Sequence, residues 1–359
     1  MKKIKKLGLQ VLSLALMIFV LAGCGKSSVS SSSEETDKEG NAEESEVSSF
    51  DKNEPDLEET PVENFTYEYS AAIQGIKIKK YTGTSIKVRI PDEIEGEPVT
   101  GIGKEAFRGA GISDVYIPNT VTTIGTSAFA DCDGLTEITI PDSVTEIGRE
   151  AFWNCSGLRS IEIPDNVTEL GRASFQFCEN LESVMIKNGV TKIGEEAFSS
   201  CTSLTSVEMP DGVTEIGDFT FGGCDSLTSI EIPDSVTEIG RGAFYGCTSL
   251  ASIQISSSVI EIGNNAFYGC ASLASVEISD GVTKIGEGVF VGCASLTDIE
   301  IPDSVTEIED AFENCTSLTD IDIPDSVTKI GRYAFSGCTN LTEASKQRIL
   351  EINPEAFFD

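Results

Sequence analysis

The chain has 359 residues, of which 59 are acidic, 25 are basic and none is histidine, for a net charge of −34. So acidic a surface repels nucleic acid and anionic membrane, and neither is an expected partner. Without histidine there is no histidine-based triad and none of the commonest general base or metal ligand. No nucleophile-elbow, phosphate-loop or dinucleotide motif stands in the sequence, so no enzyme is expected.

The first residues, "MKKIKKLGLQVLSLALMIFVLAGCGK", join four lysines to an apolar stretch from Leu7 to Leu21 and a small-residue cleavage site. That is the pattern of a secretory signal, and the stretch is shorter than the ~20 residues that span a bilayer. Leu21-Ala22-Gly23-Cys24 resembles a bacterial lipobox. The resemblance implies removal of residues 1–23, diacylation of Cys24 and display of a lipid-anchored chain outside a bacterial cell. An ordinary cleaved signal with an incidental Cys24 is the other reading. Residues 24–63 follow as a tether. The part from 25 to 63 holds 13 acidic and 3 basic residues with little to bury, a composition that favours disorder. As a flexible chain it would span a root-mean-square distance of ~35 Å. With the signal and tether set aside, −28 of the net charge falls on residues 64–359.

Residues 64–106, including "YSAAIQGIKIKKYTGTSIKVRIPDEIEGEPVTGIGKEA", read as an N-terminal cap of two or three opening strands. From 107 to 341 one sentence recurs, as in "GCDSLTSIEIPDSVTEIGRGAF" at 223–244. Its cysteines are Cys132, Cys155, Cys178, Cys201, Cys224, Cys247, Cys270, Cys293, Cys315 and Cys338, spaced by 23 residues except for 22 before Cys315. A fixed period in this range signals a repeat solenoid. In one coil Leu227, Ile230 and Ile232 alternate as a short strand with one buried face. Pro233 ends that strand, and Gly240 permits a turn before Ala243-Phe244, read as a short turn or 3₁₀ segment. A single coil is too small to make a core, so stability comes from stacking. Residues 342–359, "TEASKQRILEINPEAFFD", read as a C-terminal cap, with a helix from near Thr342 or Ser345 and a half-repeat ending at Phe357. Some eleven coils at ~4.8 Å give a stack roughly 50 Å long.

The L-x-x-I-x-I spacing resembles a leucine-rich repeat. The tail "P-D-S-V-T-x-I-G-x-x-A-F-x-x-C" resembles the 23-residue BspA-like, treponemal-type class, from about Phe65 to Leu341. The resemblance implies a parallel-strand leucine-rich repeat solenoid on a bacterial surface. It also implies a binding module, since the class includes adhesins for extracellular-matrix proteins, and hence a protein partner of host or neighbouring-cell type. Membrane contact would run through the lipid anchor only.

Ten cysteines in an exported chain suggest disulfides, but neighbours in one column point the same way, which is poor bonding geometry. Free thiols filling a narrow apolar slot are expected instead. A straight ladder also offers no tetrahedral set for zinc, and neither metal nor cofactor is expected. Acidic residues form two columns, with Glu162, Glu208, Glu231, Glu277, Glu300 and Asp322 in the first and residues such as Asp234 and Asp303 in the second. These are either a Ca²⁺-attracting stripe or a solvated face with turn-forming aspartates.

Function must then lie in departures from the repeat. Trp153, the only tryptophan, and Phe177 one coil later stand where most copies have small or polar residues. On outward strand positions lie Arg159 and Met185, and Lys187 replaces the usual proline. Aromatic, methionine and arginine side chains are enriched in interface cores. Tyr245 and Tyr268 form a second cluster in one column of adjacent coils. Each cluster is either a contact site or drift of the repeat. Two functions follow. One is adhesion to a protein; the other is capture of a glycan or Ca²⁺ for a neighbouring uptake or degradation system, with the tyrosines packing on sugar rings.

Overall fold

The computed structural model describes residues 57–358, so the signal, Cys24 and most of the tether lie outside the described residues. The coil from Cys224 shows how the repeat folds. Cys224, Leu227, Ile230, Ile232, Val236, Ile239, Ala243 and Phe244 are all buried, while Ser229 and Glu231 between them face out. The strand Ser229–Glu231 pairs in parallel with Ser252–Gln254 of the next coil, placing Ser229 beside Ser252, Ile230 beside Ile253 and Glu231 beside Gln254. Each side chain thus meets its counterpart 23 residues on, and one coil covers the next. The fold is a parallel-strand solenoid, as the period signals and the resemblance implies.

Each coil also has a second strand, which the sequence pattern concealed. Glu238–Ile239 is two residues long and pairs in parallel with Glu215–Ile216 on one side and Glu261–Ile262 on the other. Two residues are too few to show an alternation, yet stacked they extend an eleven-stranded sheet from the N-terminal cap. The first strand column has a gap. Leu135 and Ile140 are buried, but residues 135–140 form no strand.

Gly240 has a different task from the one read in sequence. Its dihedral is ordinary for any residue, but a Cβ there would lie 2.7 Å from backbone atoms of Asp218 and Gly217. The turn needs glycine because it rests on the backbone of the turn before it. The short repeat loses its residue at this turn. Strand registry across it is kept, with Asp298 beside Asp320 and Ile299 beside Ile321.

Phenylalanines run through the stack from Phe107 to Phe335. Each ring is stacked on the next at centroid distances such as 5.1 Å for Phe152–Phe175 and 5.4 Å for Phe244–Phe267, with planes 4° and 2° apart. Tyr81 extends this column at its start and Phe357 at its end.

Both ends are closed. At the start, β1 (Phe65–Ser70) pairs antiparallel with β2 (Gly75–Tyr81), which passes the sheet on to the coils. Residues 57–63, assigned to the tether by composition, are partly built into this end. Thr60 is buried, its N–H donates to Arg89 O at 3.1 Å, its hydroxyl accepts from Arg89 N, and Val62–Asn64 makes a 3₁₀ turn. At the far end a helix, Glu343–Ile352, starts from Thr342, whose side chain accepts the Ser345 N–H. Ser345 Oγ accepts from Ile321 N and donates to Asp320, so the helix satisfies the last strand's open edge.

Two substitutions test this packing. Phe221→Ala empties one place in the ring column and should cost about 3–5 kcal/mol. Ser174→Ala removes a fully buried hydroxyl that has no partner, and should leave stability unchanged or raise it. Denaturant midpoints check both, and a clear loss at Ser174→Ala would show that its hydroxyl is bonded.

Candidate functional site

The turns between Phe and Cys form a ridge with its own hydrogen-bond ladder. The residue before each cysteine up to Cys315 donates its N–H to a carbonyl of the next coil: Asn154 to Gln176 at 2.8 Å, Phe177 to Ser199 at 2.9 Å, Gly223 to Tyr245 and Gly246 to Tyr268 at 2.7 Å. That residue takes a left-handed conformation along the stack, as at Asp131, Asn154, Ser200, Gly246 and Gly292. A second left-handed slot lies four residues earlier, filled by Ser127, Glu150, Ala173, Glu196 or Asn265.

Phenylalanine stands in each slot once. Phe177 has φ 63° and Phe219 has φ 52°. For a bulky side chain such a φ is an outlier costing of order 1–2 kcal/mol. Both rings meet other aromatics on the ridge. Trp153 and Phe177 touch edge to face at 5.7 Å, and Trp153 Nε1 donates to Gln176 Oε1 at 3.2 Å. Phe219 tilts against Tyr245 at 6.2 Å, and Tyr245 stacks on Tyr268 at 4.9 Å with planes 5° apart. Arg241 lies over the Phe219 ring at 5.2 Å and pairs with Asp218. Phe177 remains 36% exposed, Tyr245 42% and Tyr268 36%. Phe219 escaped the sequence reading because it sits three positions from the tyrosine column. Its rarity among the residues of its own slot was the available signal.

The remaining candidates lie elsewhere. Arg159 and Met185 project from the outer strand face, and Lys187 follows just after it. Arg159 pairs with Glu182 at 3.1 Å and Lys187 with Glu162 at 3.2 Å, while Met185 sits between Glu162 and Glu208. No hydrogen bond, ion pair or ring contact joins them to Trp153 or Phe177 among the described residues. The departures between 153 and 188 are therefore two groups on different parts of the coil.

The acidic columns do line up. Glu231, Gln254, Glu277, Glu300 and Asp322 are successive partners along the strand face. Some turn aspartates are engaged by the chain itself, as when Asp165 accepts the Asn188 N–H and Asp234 the Ser256 hydroxyl. Among the described residues no group of three or more Cys, Asp or Glu is placed to hold a metal ion. In the second strand column burial, and then the carboxylates of Glu261, Glu215 and Asp218, push the Glu238 carboxyl up.

All ten repeat cysteines are free and buried. They do more than fill a slot. Each thiol donates to the carbonyl of the phenylalanine in the coil before it, as Cys155 does to Phe129 at 3.1 Å and Cys338 to Phe312 at 3.0 Å. Burial pushes the Cys132, Cys178 and Cys293 thiols up to about 12.

With this geometry in view, comparison with known proteins is direct. The BspA type leucine rich repeat region, in 6 copies, matches residues 100–227 and 214–342, more than half of the chain. The chain belongs to the BspA-type leucine-rich repeat family. Solved structures similar to it include a leucine-rich repeat protein from Bacteroides ovatus, 29% identical, covering 83% of this chain and 98% of that one, with a TM-score of 0.49. A leucine rich cell surface protein from Faecalibacterium prausnitzii is 29% identical over 80% of this chain and 96% of that one, with a TM-score of 0.39. The T. pallidum leucine rich repeat protein is 25% identical over 82% and 96%, with a TM-score of 0.38. No curated protein matches. Leucine-rich repeat domains of this family are typically non-enzymatic binding modules, most often for proteins.

Two measurements test the chemistry described. Thiols with so high a pKa and no solvent access should resist alkylation at pH 8 in the folded chain and react fully in guanidinium. Reaction of several in the folded state would contradict a continuous buried column. For Glu238 the raised pKa means that ionisation costs the folded state. That cost is absent at low pH and is incurred as pH rises through its pKa. Glu238→Gln should therefore raise the melting temperature at pH 7 by roughly 1–2 °C, with no difference near pH 3.

Proposed function

We propose that this chain is a non-enzymatic module of a bacterial cell surface that adheres to proteins of a host or neighbouring cell. It would be lipid-anchored through Cys24, held outward by the acidic tether, and bind through the repeat surface. The observation that carries this reading is the Trp153–Phe177 pair, two aromatic side chains left part-exposed at turn positions where most coils have small or polar residues. Aromatic anchors of this kind supply most of the energy in protein interfaces.

The alternative is capture of a glycan or Ca²⁺. Tyr245 and Tyr268 each give one ring face to the other at 4.9 Å, which leaves less face for a sugar ring than an unpaired tyrosine would offer. A cation would have only the spaced carboxylates of the strand face.

The test is to fix the purified full chain to a sensor. Collagen, laminin, fibronectin and common polysaccharides would then be passed over it at physiological salt, with and without millimolar calcium. Saturable binding of a protein is the expected result. Binding of polysaccharide alone, or a calcium-dependent rise of several degrees in melting temperature without protein binding, would favour ligand capture. With a binding protein in hand, Trp153→Ala should weaken affinity about tenfold at a nearly unchanged melting temperature.

A further inference from the structure

The ridge differs from the rest of the surface in charge as well as in ring content. Its two columns, the two residues preceding each cysteine, carry no charged side chain from Trp153 to Gly292. The coils on either side place Asp131 and Glu313 there. This is a neutral stripe seven coils long, roughly 30 Å, on a repeat domain that is otherwise strongly acidic. Exposed carboxylates border it, including Glu179, Asp225 and Glu287.

Along the stripe and the left-handed slot beside it the aromatic side chains fall into two pads. Trp153 and Phe177 make the first, and Phe219, Tyr245 and Tyr268 the second. Between them the ridge falls to Ser199, Ser200, Gly222 and Gly223, so that about 14 Å of low, uncharged backbone separates the Phe177 coil from the Tyr245 coil. Each pad contains the phenylalanine that holds a left-handed φ. Where other coils hold these slots left-handed they take glycine, asparagine or other small or polar residues, and Tyr333, at the second slot of the last repeat, is not left-handed, so neither ring is there for the fold's sake. Strain kept at exposed Phe177 and half-buried Phe219, and nowhere in the ring column of the core, points to a role outside folding.

We infer that the partner is gripped by this turn ridge and not by the strand face. The inference rests on the adhesion reading above. The occupant it commits to is a protein surface with an apolar centre and a basic rim. The rings would meet the apolar centre, and the bordering carboxylates would face lysines and arginines. The strand face, by contrast, presents Glu231, Glu277, Glu300 and Asp322 in one row with no aromatic side chain among them. That arrangement attracts cations from a distance but lacks an interface core.

The test uses the full chain, with collagen, laminin and fibronectin as probes. Phe177→Gly and Phe219→Gly remove the rings at slots that suit glycine, so both variants should melt at or above the parent temperature. The double variant should lose at least about tenfold in affinity for whichever probe binds. Met185→Lys, on the strand face, should bind as the parent does. Acetylating the probe's lysines should abolish binding, and raising the salt should weaken it. Unchanged affinity in the double variant with a loss in Met185→Lys would overturn the ridge and leave adhesion standing. Full binding by the acetylated probe would overturn the basic rim. Silence of the parent chain toward all three probes would overturn the adhesion reading and the ridge with it. The lone tryptophan gives an independent signal, because a partner on the ridge should shift Trp153 emission and one on the strand face should not.

Discussion

At each turn the backbone of one coil lies against the backbone of the coil before it. Gly148, Gly171 and Gly240 stand at this contact, where a Cβ would come within 3 Å of the preceding turn's main chain. The approach fixes the rise from coil to coil, and the other regularities follow from it. Phenylalanine rings settle at stacking distance, thiols reach the carbonyl one coil back, and two-residue strands find partners although none would be stable alone. The 22-residue coil shows the same constraint from another side. It omits a residue at this turn, and the chain passes on in register to Asp320–Asp322.

A stack so uniform separates what holds the fold from what acts for it. Buried positions repeat almost without variation, and the ridge and strand face repeat their backbone while changing their side chains. Departures are tolerated there because an exposed side chain in a solenoid touches only its immediate neighbours. Ser174 is a departure in the core, where it replaces alanine and leaves a hydroxyl unpaired, a burden with no visible benefit. Phe177 and Phe219 are departures on the surface, and each comes with an aromatic neighbour. The contrast suggests that the surface pair was retained for a contact and that Ser174 is drift of the repeat.

Much of this was legible in the amino-acid sequence, for a physical reason. Period, burial and the first strand depend on the spacing of Leu227, Ile230 and Ile232, and spacing is what a sequence displays. The final helix was legible as starting near Thr342 or Ser345, and Thr342 is its cap. The second strand was hidden because Glu238–Ile239 is too short to alternate. The thiol-to-carbonyl bonds were hidden because residue size reveals a slot but not the donor pointing across it. The domain's start was placed too late, since the composition of residues 57–63 gave no sign that Thr60 pairs with Arg89. At the candidate site the rings of Trp153, Phe177, Tyr245 and Tyr268 could be singled out by rarity. Their division from Arg159, Met185 and Lys187, and the joining of Phe219 to the tyrosines, needed the stack in three dimensions.

The most direct measurement is amide hydrogen exchange of the full chain, free and saturated with the matrix protein that it binds. A partner on the ridge should slow exchange at turn residues 153–154, 176–177, 219–223, 245–246 and 268–269 and leave the strands Ser160–Ile163, Ser183–Ile186 and Ser206–Glu208 unchanged. Protection confined to those strands, with the ridge exchanging as in the free chain, would contradict it.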